Sequence, residues 1–138
     1  MIILDTNVVS EPMRPRSDPR VVSWIDRQPA EELYLTATGL SELLLGVELL
    51  PESSRKTLLT QALDEILMLF EARVLPFDED AAVAYAVLVG KARRQGHAIS
   101  VGDGQIAAVA AIHGFAVATR DTSPFAGVGV EVINPWEA

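Results

Sequence analysis

The apolar residues of this chain keep changing period, and that constrains the fold more than any other feature. Ile2-Ile3-Leu4, Leu33-Tyr34-Leu35, Val74-Leu75, Phe115–Thr119 and Val128–Ile133 are short β-rich runs. The stretches between them carry apolar residues at helical spacing. Asp18 and Pro19 open one helix, as N-cap and first helical residue, and Val21, Val22, Trp24 and Ile25 carry it to about Gln28. A second is expected from a Thr38 cap to about Leu50, with Leu40, Leu43, Leu44 and Val47 on its apolar face. A third spans about Ser54 to Glu71. A fourth runs from an Asp78 cap toward Gly96, and a fifth covers Gly102–His113 and stops at Gly114. Strands that alternate with helices pair in parallel through right-handed crossovers, and helices then cover both faces of the sheet. The expectation is an α/β fold of three layers, and its ligand site lies beyond the carboxyl ends of the strands.

Composition narrows the chemistry. The 138 residues are 49% hydrophobic, enough for one domain with a real core over residues 1–138. There are no cysteines and only two histidines, so disulfides, thiolate zinc sites, a thiol nucleophile and a His-rich metal site are excluded. Eleven basic residues against nineteen acidic ones give a net charge of −8. Such a chain does not hold nucleic acid by its overall field and would need a local site, a metal or a basic partner. The N-terminus MIILDTNVVS lacks a basic region and a long apolar run, and no stretch approaches the roughly 18 apolar residues of a membrane helix. A soluble cytoplasmic protein is expected.

Four acids sit where the apolar pattern does not explain them. Asp5 ends the first strand, Glu42 lies among leucines early in the Thr38 helix, Asp103 opens the Ala-rich helix, and Asp121 follows the strand AVAT. Each has a plain structural alternative. Asp5 could cap a short helix beginning near Asn7, Asp103 could be an N-cap, Glu42 a solvated charge and Asp121 a turn residue. The βα alternation nevertheless places Asp5 and Asp121 at the carboxyl end of the strands, and helix starts that should point to the same end place Glu42 and Asp103 there. Four carboxylates within about 5 Å would repel by roughly 3 kcal/mol per pair at an effective dielectric of about 20. A bound cation or a shared proton is then required. Oxygen-only donors point to Mg²⁺ or Mn²⁺, whose usual chemistry in an acid-rich site is phosphodiester hydrolysis.

The segments DTNVVSE (5–11), TGLSELLLGV (38–47), LPFDEDAA (75–82), SVGDGQIAAVAAIHG (100–114), VATRDTSPF (117–125) and NPW (134–136) resemble, in order and across essentially the whole chain, the PIN-domain toxins of the VapC/FitB type. These belong to bacterial type II toxin–antitoxin modules, and the FitB branch is the nearest. The resemblance implies a three-layer α/β/α sandwich around a mainly parallel sheet. It also implies a Mg²⁺- or Mn²⁺-dependent endoribonuclease, a homodimer, inhibition by a cognate antitoxin of the VapB/FitA kind, and operator DNA bound only through that antitoxin. Carried over by position, the acidic site falls on Asp5, Glu42, Asp103 and Asp121, with Asp5 and Asp103 as metal ligands, Glu42 on the metal or the attacking water, and Asp121 completing the set. Thr6, Asn7, Ser41, Thr119 and Arg120 stand beside them as substrate or supporting residues. A haloacid-dehalogenase-type phosphatase also begins with an Asp after its first strand, but it needs a second Asp two residues on, where this chain has Asn7. A third reading is a scaffold with little or no activity that acts with its antitoxin as a DNA-binding regulator.

Overall fold

The computed structural model describes all 138 residues, Met1–Ala138. In chain order the elements are β1 (Ile2–Leu4), α1 (Thr6–Ser10), α2 (Pro19–Asp26), β2 (Leu33–Thr36), α3 (Ala37–Glu48), α4 (Ser54–Leu69), β3 (Val74–Leu75), α5 (Glu79–Arg94), α6 (Val101–His113), β4 (Ala116–Ala118), α7 (Ser123–Ala126) and β5 (Val132–Ile133). Short 3-10 turns occupy Glu11–Met13, Ala30–Glu32 and Pro135–Glu137. The five strands form one sheet in the order β3-β2-β1-β4-β5, every neighbouring pair parallel. Ile3 pairs with Tyr34 on one side and Val117 on the other, so β1 is central.

Alternation along the central strands divides the core. Leu4 and Ala118 face a cluster with Val8, Val9, Val21, Trp24, Leu33, Leu35 and Trp136. Ile3 and Val117 face the opposite cluster, with Ala81, Ile106, Ala107, Val109, Ala110 and Phe125. Helices α1 and α2 therefore cover one face, and α5, α6 and α7 the other, as the expected three layers require. The alanines of α6 let it lie close to the sheet. Gly104 lets α5 approach as closely, since a Cβ there would press on Tyr85 and Val89.

The expected elements hold with local shifts. Thr36, not Thr38, caps α3: its hydroxyl accepts the Gly39 N–H at 2.9 Å. The last residue of β2 doubles as the cap, so strand passes into helix without a loop. Ser100, not Asp103, caps α6, accepting the Asp103 N–H at 3.1 Å. The last two strands are shorter than their apolar runs. Phe115 and Thr119 flank β4, and β5 keeps only Val132 and Ile133, because Gly129 at φ 76° breaks the extended chain before it. No helix is long and apolar enough to cross a membrane.

Strand order decides where chemistry can sit. From β1 the chain moves outward to β2 and β3 and then returns to β4 on the other side. Order reverses between β1 and β4, which opens a crevice beyond their carboxyl ends. Asp5 follows β1, and Thr119, Arg120 and Asp121 follow β4. Helix α3 begins at the carboxyl end of β2, and α6 runs back into β4, so its N-terminus lies at that same end.

Candidate active site

The Asp5 carboxylate is buried, 6% exposed, and held at both oxygens. Oδ1 accepts the Thr6 N–H at 2.8 Å, capping α1. Oδ2 accepts the Thr119 hydroxyl at 2.9 Å. The Asp5 backbone N–H donates to the Ala118 carbonyl at 2.9 Å, which fixes the ends of β1 and β4 against each other. Asp5 is thus both a helix cap and the centre of the crevice, and the helix it caps starts at Thr6.

Thr119 is fully buried, and every hydrogen-bonding position of its hydroxyl is used. Its proton goes to Asp5. Its lone pairs accept the Asn7 Nδ2 amide at 3.3 Å and the Asp121 N–H at 3.2 Å. Asn7 Oδ1 in turn accepts the Arg120 N–H at 3.3 Å. Asn7, Thr119, Arg120 and Asp121 therefore form one network that sets the Asp5 orientation and the path of the chain after β4.

Glu42 comes from the second turn of α3 and meets α6. Its carboxylate Oε1 lies over Gly102 in the first turn of α6, where a Cβ would collide with it. The partial positive charge of a helix N-terminus favours a carboxylate there. Asp103 is the next residue of α6. A second link joins the same two helices: Thr38 donates its hydroxyl to Gln105 Oε1 at 2.9 Å.

Electrostatics tie the acids together. Burial raises the Asp5 pKa, the hydrogen bonds from Thr119 and Thr6 oppose the rise, and the charges of Asp103 and Asp121 add to it. Loss of water around its carboxylate raises Glu42, and the charges of Asp5 and Asp103 raise it further. All four acids therefore share one neighbourhood. They do not close into the tight four-carboxylate cluster that the sequence suggests, for no three acidic or histidine side chains converge on one ion-sized point. Like charge and the solvent exposure of Glu42 and Asp121 hold them apart.

Among the flanking residues, Thr6, Asn7 and Thr119 join the site. Ser41 does not: it is exposed, and its hydroxyl donates back to the Thr38 carbonyl at 2.6 Å. Arg120 pairs with no carboxylate. Its guanidinium stacks over the Trp136 ring at 5.2 Å, which leaves its in-plane N–H groups free. Gly102, Gln105 and Trp136 were not singled out by sequence as site residues. The glycines on either side of Asp103 were the available signal for Gly102, since glycine in a helix costs stability unless a close approach needs it.

Comparison with known proteins agrees with this fold. The PIN-domain family model matches residues 2–130. "VapC ribonuclease Y4jK" of Sinorhizobium fredii is 49% identical over 138 residues, covering 99% of each chain. "Toxin FitB" of Neisseria gonorrhoeae is 48% identical over 137 residues, also covering 99% of each. The structure of FitAB bound to the IR36 DNA fragment contains a chain that superposes with a TM-score of 0.95 at 47% identity, over 99% of this chain and 96% of that one. A member of the VapBC family of toxin–antitoxin systems from Mycobacterium tuberculosis matches with a TM-score of 0.71 at 26% identity, over 96% of each chain. By sequence over its whole length and by fold, the chain belongs to the PIN-domain family, on the branch of the VapC and FitB toxins.

Proposed function

We propose that the whole chain works as one PIN domain, the toxin of a type II toxin–antitoxin module, and cleaves RNA as a divalent-metal-dependent endoribonuclease in the cytoplasm. The observation that carries this reading is the meeting of Asp5, Glu42, Asp103 and Asp121 at the crevice between β1 and β4. The names of the VapC relatives support the activity.

The residues present fit Mg²⁺ or Mn²⁺. All donors are hard oxygens, and Asp5 and Glu42 are raised chiefly by burial and further by the neighbouring acids, with no basic side chain among the causes. Mg²⁺ keeps several waters and needs only one or two direct carboxylates, so an open set of acids suits it better than a closed cage. Asp5 and Asp103 would hold the ion, with Glu42 and Asp121 completing the set directly or through water. When bound, such an ion supplies Lewis acidity toward the phosphate and a more acidic water. Asp5 needs no reorganisation to serve, because Thr6 and Thr119 already fix it. Glu42, set against Gly102 at the start of α6, would ligate the ion or position the attacking water. Arg120, held by Trp136 with its in-plane donors free, offers a phosphate contact beside Asp121.

The chain's surface suits protein partners. Leu44 and Leu45 on α3, Leu49 just past its end, Leu58, Met68 and Leu69 on α4, and Val83 and Val87 on α5 are all exposed. A cognate antitoxin and a second copy of the chain would cover such area. Operator DNA would then be reached only through the antitoxin, as befits a chain of charge −8.

The test is cleavage of total RNA by the antitoxin-free protein with Mg²⁺ or Mn²⁺, with EDTA, and by Asp5→Asn, which keeps an acceptor to cap α1. Cleavage that needs the metal and falls at least ~100-fold in the variant supports the nuclease. A folded, metal-supplied wild type that cleaves no RNA, yet joins its antitoxin on operator DNA, moves the reading to the regulatory scaffold.

A further inference from the structure

Asp103 and Asp121 reach the crevice from separate segments. Asp103 stands in the first turn of α6, after the connection that leaves α5 at Gln95. Asp121 stands just ahead of α7. Both charges act on Asp5, so both carboxylates repel within one neighbourhood, and backbone contacts must hold their carriers in place. The Thr119 hydroxyl holds the chain on the β4 side of α7, through the Asp121 N–H. The other hold is His97, whose ring lies between the two segments. Gly96, at φ 73°, ends α5 in a left-handed turn, and the His97 N–H then returns to the Ala92 carbonyl at 2.8 Å, which closes a Schellman turn and fixes the root of the side chain. The ring Nε2 meets the Pro124 carbonyl at 3.2 Å. A carbonyl only accepts, so Nε2 carries the proton. That carbonyl has no partner from the residues that end α7: Ala126 donates to Thr122, Gly127 to Ser123 and Val128 to Phe125, a series that skips Pro124. The ring also covers Gly127, where a Cβ would lie inside it. Gly127 has ordinary helical angles, φ −70° and ψ −12°, so its missing side chain answers to the ring and not to the backbone. No other hydrogen bond joins residues 95–100 to residues 121–127.

We propose that His97 is a positioning residue of the acidic site: its ring ties α7 to the connection into α6 and so sets the distance at which Asp121 faces Asp103. His97 touches none of the four acids. It acts through the backbone, by fixing the segment that follows Asp121 to the segment that precedes Asp103. Affinity for a divalent ion depends on how the donors are spaced before the ion arrives, and removing groups that orient them commonly costs about 10–100-fold in affinity or activity. This assignment rests on the reading of the four acids as one site for a divalent ion.

The experiment measures ion binding apart from cleavage, on the full-length, antitoxin-free protein with Mn²⁺ as the probe. Binding is titrated by the electron paramagnetic resonance of the free ion, and cleavage of total RNA and a thermal melt are read on the same samples. His97→Phe keeps an aromatic ring and removes the donor. His97→Gln restores a donor on a flexible chain. Gly127→Ala leaves His97 in the sequence and pushes its ring aside. Phe125 still anchors α7 in the core it shares with α6, so each variant should melt as a folded protein. The expected result is a Mn²⁺ Kd about tenfold weaker in His97→Phe and in Gly127→Ala, with part of the loss recovered in His97→Gln. On an Asp121→Asn background, His97→Phe should weaken Mn²⁺ binding by no more than about twofold further, since the two residues act in series. A His97→Phe variant that melts lower yet binds Mn²⁺ as the wild type does overturns the proposal, for the ring is then a contact for stability alone. So does a full tenfold loss on the Asp121→Asn background. A wild type that binds Mn²⁺ and cleaves no RNA would instead strike the ribonuclease reading, while the Mn²⁺ titrations still decide the role of His97.

Discussion

The Thr119 hydroxyl has one proton and two lone pairs, and the site uses all three. Because Asn7 and Asp121 donate to it, the proton can only point at Asp5. One neutral residue thereby orients a buried carboxylate that burial alone would push toward its neutral form. Gly102 works by what it lacks. Its missing side chain makes room for the Glu42 carboxylate on α6. Gly102→Ala should therefore separate stability from activity. Alanine improves the helix by about 0.5–1 kcal/mol, and only the flexible end of Glu42 must move aside. A thermal melt should show an unchanged or slightly raised Tm. RNA cleavage should fall by roughly tenfold or more, because a carboxylate displaced by about 1 Å can cost up to ~100-fold. An unchanged rate would remove Glu42 from the mechanism.

At the scale of elements, what matters is which residue starts each helix. Thr36 ends β2 and caps α3, and this fusion sets the angle at which α3 carries Glu42 to α6. Thr36 is buried, so its loss as a cap strands the Gly39 N–H without water. Thr36→Val keeps the shape and removes the acceptor. We expect a loss of about 1–2 kcal/mol, or roughly 3–8 °C in Tm, measured by calorimetry. Thr38→Val, at the position the spacing favours as the cap, should cost less, since only the partly buried bond to Gln105 is lost. Equal losses would mean that the cap is not what anchors α3. Pattern alone placed this helix correctly but misplaced its first turn. A threonine two residues either way fits the same periodicity, and only the strand register shows which one is buried.

For the whole molecule, the acidic site is a cost the fold carries. Asp5 and Glu42 both have raised pKa values in the folded state, so the folded chain binds protons more readily than the unfolded one. Their contribution favours folding at low pH and is lost as pH rises from the ordinary carboxyl values of 3.8 and 4.5 through the raised folded ones. Glu42→Gln should relieve part of this above that window and nothing below it. Without metal, the variant should melt above wild type at pH 7.5, by a margin that solvent screening of this exposed carboxylate keeps small, and no higher at pH 4. Adding Mg²⁺ or Mn²⁺ should raise the wild-type Tm more than that of the variant, by linkage to the folded state. A metal-independent Tm in both would argue that the acids hold no ion.

Sequence by itself determined the class of this fold and the identity of its four acids. Hydrophobic period is a local property, and alternating periods leave only parallel βαβ layers. The position of an acid after a strand is local too, so Asp5 and Asp121 were legible at once. The tertiary structure decided what depends on pairing. It set strand order and hence the crevice between β1 and β4. It chose Thr36 and Ser100 over Thr38 and Asp103 as caps, and it turned Ser41 away from the site into a backbone bond. It joined Thr119 to Asp5 across 114 positions of chain and laid Glu42 on Gly102. It also kept the acids loosely apart rather than clustered. Distances between side chains far apart in sequence are set by register, close approach and charge repulsion together, and no local pattern encodes that balance.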